Sequence, residues 1–414
     1  MKAVLSNRIY LNRTPELNKK LMEELHYVLP PKQHHLPPEE ECDVTRINKN
    51  IVTIPIGRQD LIPEDFEVID KRVLHPIEFP KFKFELREEQ QKLYDDINDN
   101  CVIKANPSFG KTFTAIALAT KLGQKTLVVL HNTYLADQWT KEIRNTLGIE
   151  PGKIYGGVEE TDSCIVITTM QTQRNKIANY ISEFGTVIVD ETHHVPAPVF
   201  KNILDKYKAR YKIGLTATPW RKDGRHVMLY DYFGGPGKEF EPKDENRLTP
   251  TIVIVETEIP FSSNSMIAWP KRLNELYENH NYMELVLNLS QAQAERGYKV
   301  LTVADRVDFL KTCADVLDSF MLITGTSTEG REFNLEKDGI FGTTKIFAEG
   351  INIPVLSSLV MGVPINNRSL LDQLIGRICR PAEGKLNPEV IDIALKGKTA
   401  KYQLGQRINY YMNK

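Results

Sequence analysis

Three clusters of residues carry side chains suited to phosphate chemistry. The first is Ala105-Asn106-Pro107-Ser108-Phe109-Gly110-Lys111-Thr112, which matches the phosphate-cradling P-loop pattern except that alanine stands at its first glycine. The N–H groups of such a loop, with the N-terminus of the helix it opens, hold phosphate oxygens. Pro107, Ser108, Phe109 and Gly110 would line the cradle. Lys111 would reach the terminal phosphates, and the Thr112 hydroxyl would ligate Mg²⁺. The second cluster is Asp190-Glu191-Thr192-His193, at the end of an apolar strand from Val187. Asp190 would complete the Mg²⁺ shell and Glu191 would polarise an attacking water. His193 and His194 have no partner ligands in the sequence, so a coupling or packing role is expected for them. The third cluster spans Leu371 to Arg380, where Gln373, Arg377 and Arg380 fall at spacings that share one helix face. Planar, permanently charged guanidiniums suit a transferring phosphoryl group. These arginines interrupt an apolar segment (Leu370, Leu371, Leu374, Ile375, Ile378), so their face should point at something specific.

Each cluster needs an element that ends at it. Cys101 to Ala105 reads as a short strand, Lys111 to Leu122 as the helix after the loop, and a helix is expected from near Glu85. Thr126 to Leu130, Cys164 to Thr168, Thr186 to Asp190 and Tyr211 to Thr216 are apolar runs ending at polar residues, with a helix through Gln138 and Trp139 among them. Strands alternating with helices predict a parallel sheet whose ligands gather at the carboxyl ends of its strands. Gly234 to Pro250 is loop-rich and charged and reads as a hinge. A second series follows, with Lys299 to Val303, Met321 to Thr324, Lys345 to Phe347 and Ser358 to Met361 as strands. The two halves look like two copies of one α/β plan. Residues 1–80 differ, with a Pro-rich acidic stretch from Leu29 to Glu41 and a short alternating strand from Ile51 to Ile56. The expected organisation is a small α+β accessory domain over 1–80 and two α/β domains over 81–240 and 241–414.

Composition sets outer limits. A chain of 414 residues is long enough for two or three domains, and 41% hydrophobic with 26% charged residues is ordinary for a soluble globular protein. The formal net charge is -1, so any nucleic-acid site must be a local patch. Past Arg377, Lys385, Lys396, Lys398, Lys401, Arg407 and Lys414 outnumber the acids; on charge alone this run reads as a solvated tail. Cys42, Cys101, Cys164, Cys313 and Cys379 lie far apart, which indicates neither a zinc site nor a disulfide framework. No apolar run reaches the roughly 20 residues that a membrane span needs. A soluble protein of the cytoplasm, bacterial or of a phage-infected host, is expected.

The three clusters, in this order, resemble the superfamily-two helicases and translocases, and further matches fill the gaps between them. Leu86-Arg87 and Gln90 resemble the adenine-reading Q motif, and Asn132 to Trp139 resembles motif Ia, with His131 where proline is usual. Thr168-Thr169-Met170-Gln171 resembles motif Ib, and Leu215-Thr216-Ala217-Thr218-Pro219 resembles motif III, which couples hydrolysis to domain movement. Val303 to Arg306 resembles motif IV, and Thr344 with Ala348-Glu349-Gly350-Ile351-Asn352-Ile353-Pro354 resembles motif V. The resemblance covers about residues 82–412. Asp-Glu-Thr-His in place of Asp-Glu-Ala-Asp, Thr-Ala-Thr-Pro in place of Ser-Ala-Thr, and the run Trp220-Arg221-Lys222-Asp223-Gly224 point to the XPB, RecG and UvsW group rather than to RNA-type DEAD-box proteins. Compact size and a small N-terminal domain most resemble phage UvsW-type branch-migration helicases. Motif V usually carries aspartate where this chain has Asn352, so the contact with the nucleotide sugar loses a charge.

The resemblance implies two tandem RecA-like domains that bind ATP and Mg²⁺ between them. Lys111, Glu191, Gln373, Arg377 and Arg380 would be catalytic, Arg87, Gln90, Gly350 and Asn352 would add ATP contacts, and His193, Thr216 and Thr218 would couple hydrolysis to movement. Asn132, Thr168, Thr169, Gln171, Arg221, Lys222, Thr324, Gly325 and Thr344 are expected DNA contacts, since hydroxyls, amides and backbone N–H groups hold phosphates without reading sequence. The implied activity is ATP-dependent remodelling of forked or branched DNA by a monomer, with residues 1–80 helping to grip it. Three alternatives stay open: the motor subunit of a restriction or repair complex, an ATP-gated clamp, and an RNA helicase.

Overall fold

Strand Thr126–Leu130 shows how the first half is built. Leu127 and Val129 enter one buried cluster with Val166, Val187 and Tyr207, while Val128 and Leu130 enter another with Ile116, Trp139 and Ile188. A strand that feeds two cores must be apolar at every position, which is why the run is continuous rather than alternating. The computed structural model describes residues 1–31, 37–106, 109–192, 203–217, 223–243, 247–324, 334–349, 351 and 353–412. The chain divides into two compact units, Met1–Asp244 and Glu245–Lys414.

In the first unit, β8 (Cys101–Lys104), β9 (Thr126–Leu130), β10 (Gly152–Tyr155), β11 (Val158–Glu160), β12 (Ile165–Thr169), β13 (Thr186–Val189), β14 (Tyr211–Thr216) and β15 (Glu239–Phe240) form one sheet. Its order is β11-β10-β12-β9-β13-β14-β8-β15, parallel except at the β10–β11 pair. Helices α2 (Glu88–Asp96), α3 (Lys111–Leu122), α4 (Thr133–Leu147) and α5 (Met170–Lys176) lie in the connections. The crossover through α3 leaves β8 and returns at β9, with β14 and β13 between them. The carboxyl ends of these strands are where doubly wound sheets bind ligands.

The N-terminal segment belongs to the same unit. Strands β1 (Lys2–Leu5), β2 (Ile9–Asn12), β5 (Thr45–Arg46), β6 (Ile51–Ile54) and β7 (Glu67–Asp70) form a small sheet with its own core around Ile9, Leu11, Leu21 and Val52, where helix α1 (Pro15–Glu24) packs. A hairpin of β3 (His26–Leu29) and β4 (Glu39–Cys42) projects beside it. Buried charge fastens this sheet to the parallel one. Arg8 bonds Asp205 and, at 2.9 Å, Asp43, which also accepts from the Tyr232 hydroxyl at 2.9 Å. The Tyr27 hydroxyl donates to Asp231, whose backbone carbonyl accepts from Gly57 N at 2.7 Å. A Cβ at Gly57 would lie 2.5 Å from that carbonyl, so only glycine permits this approach. Arg225 is held by Glu39 and Glu41 of the hairpin. The connection is sewn down as well: Val73 and Arg210, His75 and Lys125, and Ile77 and Gly123 are joined by backbone hydrogen bonds.

Burial pushes the Asp231 carboxyl up to about 6. The folded chain thus holds this proton more tightly than the unfolded chain, whose aspartates titrate near about 4. The resulting stability is complete below that range and is lost as pH rises through about 6. Calorimetric unfolding between those limits should show the slope contributed by this group, about 1 kcal/mol per pH unit. Asp231→Asn should flatten it; identical slopes in the two proteins would contradict the assignment.

In the second unit, β16 (Thr251–Pro260), β17 (Val300–Ala304), β18 (Phe320–Ile323), β19 (Gly339–Thr343), β20 (Ser358–Met361) and β21 (Glu389–Lys396) form a parallel sheet ordered β16-β21-β20-β17-β19-β18. After a short helical turn of the first unit, α6 (Leu229–Tyr232), the helices are α7 (Trp269–Tyr277), α8 (His280–Glu295), α9 (Val307–Val316), α10 (Thr344–Glu349), α11 (Arg368–Ile378) and α12 (Lys398–Met412). Lys345 to Phe347, expected as a strand, lies in α10; the strand is β19, just before it. The glycines that break its apolar run are required by packing, since a Cβ at Gly342 would meet the Phe347 ring at 2.1 Å and one at Gly339 the Phe320 ring at 2.4 Å. The basic run past Arg377 is not a solvated tail. Arg407 is buried and grips Asp392 of β21 through two 2.8 Å bonds, fixing α12 to the sheet. Lys385 donates to the carbonyls of Pro354 (2.8 Å) and Arg380 (2.7 Å), and burial pushes its pKa down to about 8.

Candidate active site

Neighbouring strands β13, β14 and β8 bring the sequence clusters of the first unit to one edge. β8 leads into the P-loop, whose Ala105 N donates to Thr216 O at the end of β14 (3.0 Å). Ala105 does not have positive φ, so the glycine usual at this position is dispensable. Gly110 is different. Its φ of 83° suits glycine, and a Cβ there would lie 2.9 Å from Gln90 Nε2. Lys111 then opens α3 as a buried residue, its Nζ donating to Ala105 O at 3.1 Å across the loop.

Arg87 and Gln90, expected at the base, meet the loop itself in this structure. Both donate to Phe109 O, at 2.5 Å and 2.8 Å, while Gln90 Oε1 accepts from Arg87 N at 3.1 Å. The start of α2 is thereby clasped to the P-loop. A cavity of about 440 Å³ opens farther along α2 and α3, walled by Phe82, Phe84 and Tyr94.

Asp190 follows β13 and is buried. Its Oδ2 accepts from the Trp139 indole N–H at 2.8 Å, and its Oδ1 accepts from Glu191 N at 2.9 Å. Glu191 has φ of 48°, alone among the described non-glycine residues in being positive; such strain gathers at functional sites. Burial, followed by the neighbouring Glu191, raises the Asp190 carboxyl, and Lys111 opposes the shift. Two adjacent carboxylates facing one lysine carry negative charge that a divalent cation would offset, and Thr112, next after Lys111, brings a hydroxyl of the right chemistry. The residues fit Mg²⁺.

Other strand ends carry the residues expected to contact DNA. Asn132, after β9, caps α4 by accepting from Leu135 N at 2.9 Å, and Gln171 is exposed. Thr168 is fully buried; its hydroxyl donates to Ile154 O and accepts from Gln173, both at 2.8 Å, so it has a structural place rather than a strand contact. Thr169 is also buried, its hydroxyl 2.9 Å from that of Thr172. In the second unit Thr324 and Thr344 are buried at adjacent strand ends, and Thr344 donates to Asp305.

Cluster three departs from its expected geometry. Gln373 and Arg377 lie on α11, but the helix ends at Ile378 and Arg380 falls beyond it, so the three do not share a helix face. Arg377 is buried and donates to Phe347 O (2.7 Å) and Ala348 O (2.8 Å), tying the helix to α10 of motif V. Arg380 is half-buried, its carbonyl held by Lys385. Pro107, Ser108, His193, His194, Thr218, Arg221, Lys222, Gly325, Gly350 and Asn352 lie outside the described residues. Nothing local in the sequence marks Lys385 for its bonds. Trp139 carried a signal, since an indole inside an apolar helix face needs a partner for its N–H.

A P-loop, a strand-end Asp-Glu pair and two parallel α/β sheets define a nucleotide-hydrolysing motor of the RecA-like class. The family described as Type III restriction enzyme, res subunit, matches residues 83–221. Over its whole length the chain is 40% identical to "Probable helicase D10" of Escherichia phage T5, covering 94% of that protein. It is 23% identical to "DNA 3'-5' translocase XPB2" of Sulfurisphaera tokodaii over 84% of this chain and 90% of that one. The crystal structure of T4 UvsW is similar over 100% of this chain and 97% of that one, at 15% identity and a TM-score of 0.46. The chain belongs to the superfamily-two helicases and translocases, ATP-using motors that include the XPB-named proteins to which it is similar. Among the described residues, no helix is long and apolar enough to cross a membrane.

Proposed function

We propose that the chain converts ATP hydrolysis into movement along DNA and acts on forked or branched duplexes. The observation that carries the reading is the convergence of Lys111 with the Asp190–Glu191 pair at one sheet edge, next to the strand ends that bear Asn132 and Gln171. Lys111 and the loop N–H groups hold the terminal phosphates, and Thr112 with Asp190 holds Mg²⁺. Bound there, Mg²⁺ would supply positive charge to offset that of the phosphate oxygens. Glu191 orients the attacking water and takes its proton. Arg380 of the second unit supplies positive charge to the transferring phosphoryl group, with Gln373 beside it in the motif. Arg377 keeps motif V in place for the nucleotide.

DNA is preferred over RNA because Asp-Glu-Thr-His, Thr-Ala-Thr-Pro and Trp220 to Gly224 follow the XPB-like pattern; relatives are named for both substrates. A monomer suffices for this cycle. The N-terminal sheet moves with the first unit and adds grip on the duplex. The match to a restriction-enzyme subunit favours one other reading, a motor working beside a partner that cuts.

ATP turnover should be stimulated most by forked DNA, less by plain duplex and least by RNA, with displacement of a strand from the fork. Lys111→Ala should lower the stimulated kcat roughly 10²–10³-fold, the scale for losing one donor to the developing charge. Near-normal turnover in that variant would refute the site, and strongest stimulation by RNA would refute the substrate.

A further inference from the structure

We infer that Trp139 is a positioning residue for the metal-binding carboxylate of Asp190, an inference that rests on the Mg²⁺ role given to Asp190 above. Trp139 sits on α4 and is 1% exposed. Tryptophan is seldom so completely buried, and once buried its N–H needs an acceptor. Here the acceptor is Asp190 Oδ2 at 2.8 Å, across fifty-one positions of sequence. The opposite oxygen, Oδ1, takes the Glu191 amide at 2.9 Å.

The carboxylate is therefore fixed from two elements at once, by the strand-end turn on one oxygen and by α4 on the other. Each oxygen keeps a second lone pair. Two donors on one carboxylate set the plane of the group, and so the direction in which those lone pairs point. A phenylalanine would fill much of the same apolar space, packed against Leu135, Ile143 and Ile188, but would leave Oδ2 without this partner. The indole N–H is the feature that packing alone does not explain. Partners of this kind typically change metal affinity 10–100-fold when removed. The helix that carries Trp139 begins at Asn132, directly after β9, so one rigid element joins a candidate strand-binding edge to the metal carboxylate.

The test is a Mg²⁺ titration of a fluorescent ADP analogue bound to the full-length protein, with binding in EDTA as the metal-free reference. Trp139→Phe should raise the half-saturating Mg²⁺ concentration about tenfold or more, with affinity in EDTA kept. Benzothienylalanine at position 139 preserves the bicyclic shape and lacks only the N–H, so it should give the same shift and carries the test if the Phe variant folds poorly. An unchanged Mg²⁺ response in the benzothienylalanine protein overturns the inference. Asp190→Asn separates the two readings. If it too leaves the Mg²⁺ response unchanged, the metal role of Asp190 has failed; if it abolishes the response while the position 139 variants do not, only the role of Trp139 has failed.

Discussion

Arg380→Ala should lower kcat for stimulated ATP hydrolysis roughly 10³-fold or more, the range associated with a guanidinium that meets a transferring phosphoryl group. Its thermal stability should stay close to that of the parent. The side chain is half-buried and follows the end of α11, and Lys385 holds the backbone carbonyl, which the substitution keeps. Arg377→Ala is expected to behave differently. That guanidinium is buried, and removing it frees the carbonyls of Phe347 and Ala348, so both activity and the melting temperature of the second unit should fall. Single-turnover hydrolysis together with calorimetry separates the two outcomes. An Arg380 variant with near-normal kcat would show that the charge comes from elsewhere, and an Arg377 variant of full stability would remove its role in holding motif V.

Arg8→Ala should cost about 3–5 kcal/mol of stability in the first unit, the usual penalty for breaking a buried ion pair from one side. Arg8 bonds two carboxylates, Asp43 and Asp205, and all three are buried. Burial already raises the Asp205 carboxyl, and Arg8 is the main group opposing that shift. Without it, Asp205 must take up a proton or remain as an unpaired buried charge. Urea denaturation followed by tryptophan fluorescence measures the loss, and a variant within about 1 kcal/mol of the parent, the value of an ordinary exposed pair, would sink the claim. Arg8→Lys should recover part of the difference, because it restores charge but not the two-pronged geometry.

What could be read beforehand depended on whether a signal was local. Strands β9, β14 and β20 and helix α3 lie within the runs expected for them, because a strand buried on both faces is apolar throughout and a P-loop announces the helix after it. The places of Asp190 and Lys111 were legible too, the one closing an apolar strand and the other opening the helix after the loop. The misses are residues whose partners lie far away in sequence. β21 looked like part of a basic tail because its Asp392 and Glu389 resemble surface charges until Arg407 and Arg296 are seen to neutralise them. β19 was hidden by glycines that exist to admit Phe320 and Phe347. Thr168 sat at a strand end like any phosphate contact, and only tertiary packing showed its hydroxyl turned inward. Arg380 kept a helical spacing from Arg377 although the helix stops before it.

The bonds that fasten the N-terminal sheet also define which piece of this protein can be exchanged. A graft that replaced residues 81–240 with the equivalent part of a relative would leave Arg8, Tyr27 and Arg58 facing strangers in place of Asp205 and Asp231. Gly57, shaped to one carbonyl, would face a backbone of different course. The interchangeable cassette is Met1–Asp244 as a whole, so substitutions at positions 8, 43, 205 and 231 should be inherited together or not at all.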